Sequence, residues 1–184
     1  MTILGIDEVG RGCLAGPLVV GAVVLDQPIE GLKDSKLLTR KRREQLSAQI
    51  WSKAAFIGIG WVAVDELDSL GLSNSLNLGA HRALTGFNID CDRIILDGNY
   101  DYVKTIPLLE TIIRADTVVP AVSAASIVAK VARDSYMLKL AADFPQYQYD
   151  RNVGYGTKAH LQAIKAYGAC IHHRHSFKPI KTMD

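Results

Sequence analysis

Four carboxylates stand where short apolar segments stop. Asp7 and Glu8 follow the run from Ile3 to Ile6, and Gly10-Arg11-Gly12 comes directly after them. Asp97 closes the segment RIILD at 93–97, ahead of Gly98-Asn99. Asp116 lies shortly before Pro120 and a long alanine-rich stretch. Carboxylates gathered in a dry site repel one another and lose hydration, so such a cluster calls for a cation. Oxygen donors without cysteine, and without histidine nearby in sequence, suit hard divalent ions such as Mg²⁺ or Mn²⁺. Two such ions about 4 Å apart activate water and stabilise the leaving oxygen in phosphodiester cleavage. Each acid also has a plainer explanation. Asp7-Glu8 fits a solvated turn after an edge strand, and Asp97 fits an aspartate capping a turn. The four acids meet only if their strand ends converge at one edge of a sheet. Asp7 and Glu8 share a site only if the strand bends, because neighbours on a strand point to opposite faces.

Other residues extend this chemistry. The Gly10-Arg11-Gly12 turn allows close approach to its backbone. Tyr155, framed by Gly154 and Gly156, presents a ring that can stack on a flat partner or a sugar; a core tyrosine with a satisfied hydroxyl is the alternative. Lys33, Lys36, Arg40, Lys41, Arg42 and Arg43 form a basic run that suits either a solvated helix face or a grip on phosphates. The tail His172, His173, Arg174, His175 and Lys178 has no regular ligand spacing and reads as a basic surface.

The elements that must position these groups emerge from pattern and punctuation. Residues 2–7 read as a buried strand, and Leu18 to Leu25 as a second, with Pro17 just before it. Their short connection makes them an antiparallel pair. This disposes of a superficial dinucleotide-binding fingerprint at 10–15, which requires a helix after the turn rather than a strand. Thr39 caps a helix running to about Trp51, with Leu46 and Ile50 inward, and Ala54 to Val64 form a strand. Asp65 caps a short helix closed by Gly71, and Ser73 another closed by Gly86, with Asn77 and a solvated Arg82 on its polar side. Residues 93–97 form a central strand, and 111–114 a short one. A long helix from about Val122 to Ala142 carries Ala124, Val128, Val131, Ser135 and Leu138 on its apolar face. Ser126, Lys130 and Arg133 fall opposite, with Asp134 pairing to a neighbouring cation. Thr157 caps a last helix to about Tyr167.

The bounds are ordinary. The 184 residues, 48% apolar and 22% charged with a net charge of +2, fit one globular domain. No apolar run is long enough to span a bilayer. No basic region precedes the N-terminal apolar run, so no secretory signal is expected. Cys13, Cys91 and Cys170 lie far apart and read as free thiols of a reducing cytosol.

The stretches GIDEVGRG (5–12), AGPLVVGAVVL (15–25), DSKLLT (34–39), ILDGN (95–99), ADTVVPAVSAASIVAKVARD (115–134) and GYGTKAHLQAIKAYG (154–168) resemble the bacterial ribonuclease HII family, in family order and over most of the chain. The resemblance implies an α/β fold, a ribonuclease H-like mixed sheet flanked by helices with a small helical C-terminal extension. Residues 1–184 would form one catalytic domain, with about 145–184 an appendage packed on it. It implies hydrolysis of the RNA strand of RNA–DNA hybrids and incision of duplex DNA 5′ of embedded ribonucleotides. The products would carry 5′-phosphate and 3′-hydroxyl ends, in ribonucleotide removal and RNA primer processing by a cytoplasmic monomer. By position, Asp7, Glu8, Asp97 and Asp116 match the catalytic acids that hold Mn²⁺ or Mg²⁺ in a two-metal mechanism. Gly10, Arg11 and Gly12 match the turn that inspects the ribose 2′-OH. Tyr155 matches the tyrosine that packs on the adjoining sugar, and Lys36 a basic residue near the phosphates. One departure is Ala115, where many bacterial members have glycine before the last acid. Two alternatives differ in class. A nucleic-acid-binding module would bind hybrids without regard to Mg²⁺ and would not nick. Another ribonuclease H-like nuclease, acting on DNA junctions, has no use for the glycine-arginine-glycine turn with Tyr155.

Overall fold

The computed structural model describes residues 1–32, 35, 38–103 and 106–182. The apolar run at the start becomes β1 (Ile3–Val9), and the Val-rich run becomes β2 (Leu18–Leu25), antiparallel to it. β3 (Ala54–Val62) adds antiparallel to β2. On the other side of β1, β4 (Arg93–Asp97) and β5 (Leu109–Ile112) add in parallel, giving the order β3-β2-β1-β4-β5. The mixed sheet sets where the acids emerge. Parallel neighbours end at the same edge, and the register pairs Ile6 with Leu96, so Asp7 and Asp97 leave the sheet level with each other.

Helices cover both faces. α1 (Arg40–Lys53) begins at Thr39, whose hydroxyl accepts from the Arg42 amide. α2 (Val64–Ala83) packs Leu67, Leu76 and Ala80 against Leu4, Ile6, Val20 and Val24. The two short helices expected here run together across a kink at Gly71, where φ is 74°. The Glu66 carboxylate accepts from the Ala63 amide at 3.0 Å, so Asp65 sits in the first turn and not at the cap. α3 (Ala115–Val118) is a single turn, and α4 (Pro120–Asp143) lies across β1 and β2 on the face opposite α2. Its small residues let it lie directly on the sheet. A side chain at Gly5 or Gly21 would strike the α4 backbone at Ala121 or Ala125. The alternation of β1 therefore sends Leu4 and Ile6 toward α2, and Gly5, Asp7 and Val9 toward α4.

After α4 come a 3₁₀ turn (Pro145–Tyr147), α5 (Tyr149–Asn152) and α6 (Lys158–Tyr167), the last capped by Thr157. They pack Tyr147, Tyr149 and Ile164 against Met137, Leu140 and Leu14. Three expectations about charged side chains are overturned. Arg133 does not face solvent; it is fully buried and donates to the carbonyls of Pro17, Ala15 and Val153 at 2.8–3.0 Å. The tail is not simply a basic surface. His173 and Arg174 are fully buried, and Arg174 donates to the carbonyls of Gly16 (2.8 and 3.0 Å) and Arg11 (3.2 Å). Arg82 is not simply solvated either, since it makes a bidentate pair with Glu66 at 2.7 and 2.8 Å. The three cysteines are free. No described helix is long and apolar enough to cross a membrane.

Candidate active site

Asp7 leaves the end of β1 on the α4 side, with Asp97 beside it at the end of β4. The Ala115 amide donates to Asp97 at 2.7 Å, which fastens the start of α3 to the end of β4 and carries Asp116 inward. One carboxylate oxygen from each of Asp7, Asp97 and Asp116 lies within 4.8 Å of the others. Asp7 and Asp116 are only 6% and 4% exposed. Burial raises the Asp7 carboxyl well above the ordinary carboxylate range, and repulsion from Glu8 and Asp97 adds to it. The Ser126 hydroxyl and the Glu8 amide (2.8 Å) pull the other way. Oxygen-only donors, buried and mutually repelling, fit a hard divalent cation.

Glu8 lies outside that trio. Strand alternation turns its side chain to the α2 face, where the Tyr102 hydroxyl donates to Oε2 at 3.1 Å and Arg11 reaches Oε1 at 3.4 Å. It still borders the same cleft, and its carboxyl is raised, chiefly by burial. The cleft holds about 360 Å³ and is bordered by Asp7, Glu8, Asp97, the Gly10–Gly12 turn, Lys130 and Tyr155. Gly10 has φ 92°, and a side chain there would collide with the Arg133 guanidinium, whereas the space beside Gly12 is open. Tyr155 is 43% exposed on the cleft wall. A roomier groove of about 640 Å³ between Trp61, Tyr136 and Ile171 contains none of the four acids.

Lys36 lies outside the described residues. Its described neighbour Ser35 bonds the Ser126 hydroxyl at 2.9 Å, and Arg43 donates to the carbonyls of Ser35 (3.0 Å) and Leu38 (2.6 Å). Part of the basic run is thus structural: Arg43 also approaches Asp134, and Arg40 pairs with Glu44. Sequence reasoning missed Tyr102, Ser126 and Lys130 as parts of the site. Ser126 and Lys130 stand four apart on α4, behind the small residues that bring that helix onto the sheet; that spacing was the available signal. Nothing local marks Tyr102, which meets Glu8 from 94 residues away.

Comparison with known proteins agrees with this architecture. The ribonuclease HII family model matches residues 4–180. The ribonuclease HII of Verminephrobacter eiseniae is 45% identical over 180 residues, covering 97% of this chain and 86% of that protein. That of Bordetella avium is 44% identical over 181 residues, covering 97% and 89%. The crystal structure of ribonuclease H2 from Pyrococcus horikoshii superposes with a TM-score of 0.83 at 27% identity, covering 100% of this chain and 97% of that one. Bst ribonuclease HIII, crystallised in complex with Mn²⁺, shares the fold with a TM-score of 0.73 at 19% identity, covering 100% of this chain and 69% of that one. Agreement of this extent, in sequence along nearly the whole chain and in backbone along all of it, makes the chain a member of the ribonuclease HII family.

Proposed function

We propose that this protein is a metal-dependent endoribonuclease. It hydrolyses the RNA strand of RNA–DNA hybrids and incises duplex DNA 5′ of embedded ribonucleotides, leaving 5′-phosphate and 3′-hydroxyl ends. Residues 1–184 act as one catalytic domain, in a cytoplasmic monomer. The observation that carries this reading is the convergence of Asp7, Asp97 and Asp116 within 4.8 Å at the edge where β1 and β4 end. These three hold Mg²⁺ or Mn²⁺, and Glu8 extends the acidic wall. Bound divalent ions supply a water of lowered pKa and charge stabilisation for the leaving oxygen.

The chain's own residues do the rest. The 2′-OH is the group that tells ribose from deoxyribose, and it lies in the shallow minor groove. Gly10, Arg11 and Gly12 offer backbone there, with open space at Gly12 for close approach. The Tyr155 ring packs on the adjoining sugar and favours a deoxyribose, because an added hydroxyl would crowd it. Lys130, bonded to Asp134 at 2.8 Å and bordering the cleft, sets a positive charge near the phosphates, as Lys36 does by sequence position.

The test is a DNA duplex containing one ribonucleotide, incubated with Mg²⁺ or Mn²⁺ and mapped at nucleotide resolution. The expected product is a single nick 5′ of the ribonucleotide, lost on chelation. Hybrid binding that ignores Mg²⁺, with no nick under either ion, would instead identify a binding module.

A further inference from the structure

Behind Tyr155 lies a buried polar cluster that the cleavage chemistry does not use. We propose that His160 and His173 are positioning residues, a tautomer-locked neutral pair that holds the Tyr155 backbone and through it the ring at the cleft wall. This rests on the reading of Tyr155 as the sugar contact.

Two backbone groups dictate the protons. The Tyr155 carbonyl accepts from the Thr157 amide at 2.8 Å and lies 2.8 Å from His160 Nδ1. A carbonyl only accepts, so His160 carries its proton on Nδ1. The Cys170 amide donates to His173 Nδ1 at 2.9 Å, so that nitrogen is bare and Nε2 carries the proton. The two Nε2 atoms are 3.1 Å apart. The His173 N–H therefore meets the lone pair of His160, and each ring's tautomer is the one its partner needs. An added proton would set donor against donor.

The surroundings keep both rings uncharged. Both are fully buried, and Tyr147 stands edge-on to them with ring centroids 4.7 Å from His173 and 6.3 Å from His160. The Tyr149 hydroxyl lies 3.3 Å from His173 Nε2 and 3.6 Å from Cys170 Sγ. Burial lowers the His160 value. It brings His173 to about 4, with His160, His175 and His172 adding repulsion and the Cys170 backbone opposing. The result is a relay from the Cys170 amide through two rings to the carbonyl of Tyr155. It ties the C-terminal segment to the loop ahead of α6.

The experiment is a double-mutant cycle on nicking at a lone ribonucleotide, in the full-length protein, with His160→Ala, Tyr155→Ala and the pair. A positioning residue acting through Tyr155 gives non-additive losses. We expect His160→Ala and Tyr155→Ala each to lower the rate by roughly tenfold, and the double variant to be no slower than Tyr155→Ala alone. His160→Asn, whose side-chain amide can replace the Nδ1 donor, should restore most of the activity. Long-range ¹H–¹⁵N spectra at neutral pH should show the Nδ1–H tautomer for His160 and Nε2–H for His173. Multiplying losses, an unaffected His160→Ala, a charged ring or the reverse tautomers would each overturn the proposal. A silent Tyr155→Ala beside an impaired His160→Ala would remove the sugar contact itself, and the pair's role with it.

Discussion

Asp7 and Asp116 at the cleft, and Arg133 and Arg174 behind the glycine turn, are all withdrawn from solvent, yet their surroundings are opposite in kind. Arg133 spreads its guanidinium over three carbonyls, and Arg174 over two. Those charges are answered by fixed backbone dipoles and hold elements together. The acids are packed against like charge, so burial and repulsion push Asp7 and Glu8 upward. A buried charge with built-in acceptors is a staple. A buried charge raised by its neighbours stores free energy that a cation can release. The contrast separates scaffold from site without any appeal to relatives.

The largest expected effect tests the acids. Asp7→Asn or Asp97→Asn should lower nicking by about three orders of magnitude or more in single-turnover assays, since a lost ligand disables ion-assisted hydrolysis. The same Asp7 variant should melt no lower than the parent without metal, because a repelled charge has gone. Full activity in Mg²⁺ would break the comparison on the acidic side. On the other side, Arg133→Met takes the guanidinium donors away from the carbonyls of Pro17, Ala15 and Val153 and should cost about 3–5 kcal/mol in urea unfolding. An unchanged midpoint would show that the guanidinium is no staple.

A pH series sharpens the contrast. For a carboxyl whose value is raised by folding, the native state prefers the protonated form. The metal-free protein should therefore lose stability as pH climbs from the ordinary carboxylate range through the raised value of Asp7. Mn²⁺ binding, followed by calorimetry, should tighten over the same interval by up to about tenfold per pH unit for each proton released. Flat affinity across that range would mean that Asp7 gives up no proton to the ion. The smallest effect belongs to an exposed pair. Arg82→Ala removes the Glu66 contact but should cost less than about 1 kcal/mol, because solvent screens both partners.

Much of the frame could be read from local pattern. The short connection between the first two apolar runs implied their antiparallel pairing, and Thr39 and Thr157 marked two helix starts. The convergence of Asp7 with Asp97 needed one fact that no local pattern holds, the parallel register of β1 and β4. Glu8 shows the limit from the other direction. Adjacent in sequence to Asp7, it is turned away by the same alternation that makes a strand. Arg133 and the 172–175 tail misled because charge usually means surface, whereas their acceptors are carbonyls contributed by distant turns. Long-range backbone acceptors leave no compositional trace.

The turn that borders the cleft is closed from far away. The Arg174 amide bonds the Leu14 carbonyl, the Gly16 amide bonds the His172 carbonyl, and Ala15 bridges His173. On a ribosome, the amino-terminal hairpin can pair early, but this brace is absent until residues 172–174 have cleared the exit tunnel. A nascent chain would thus hold all of its acids well before it could present them in a finished notch.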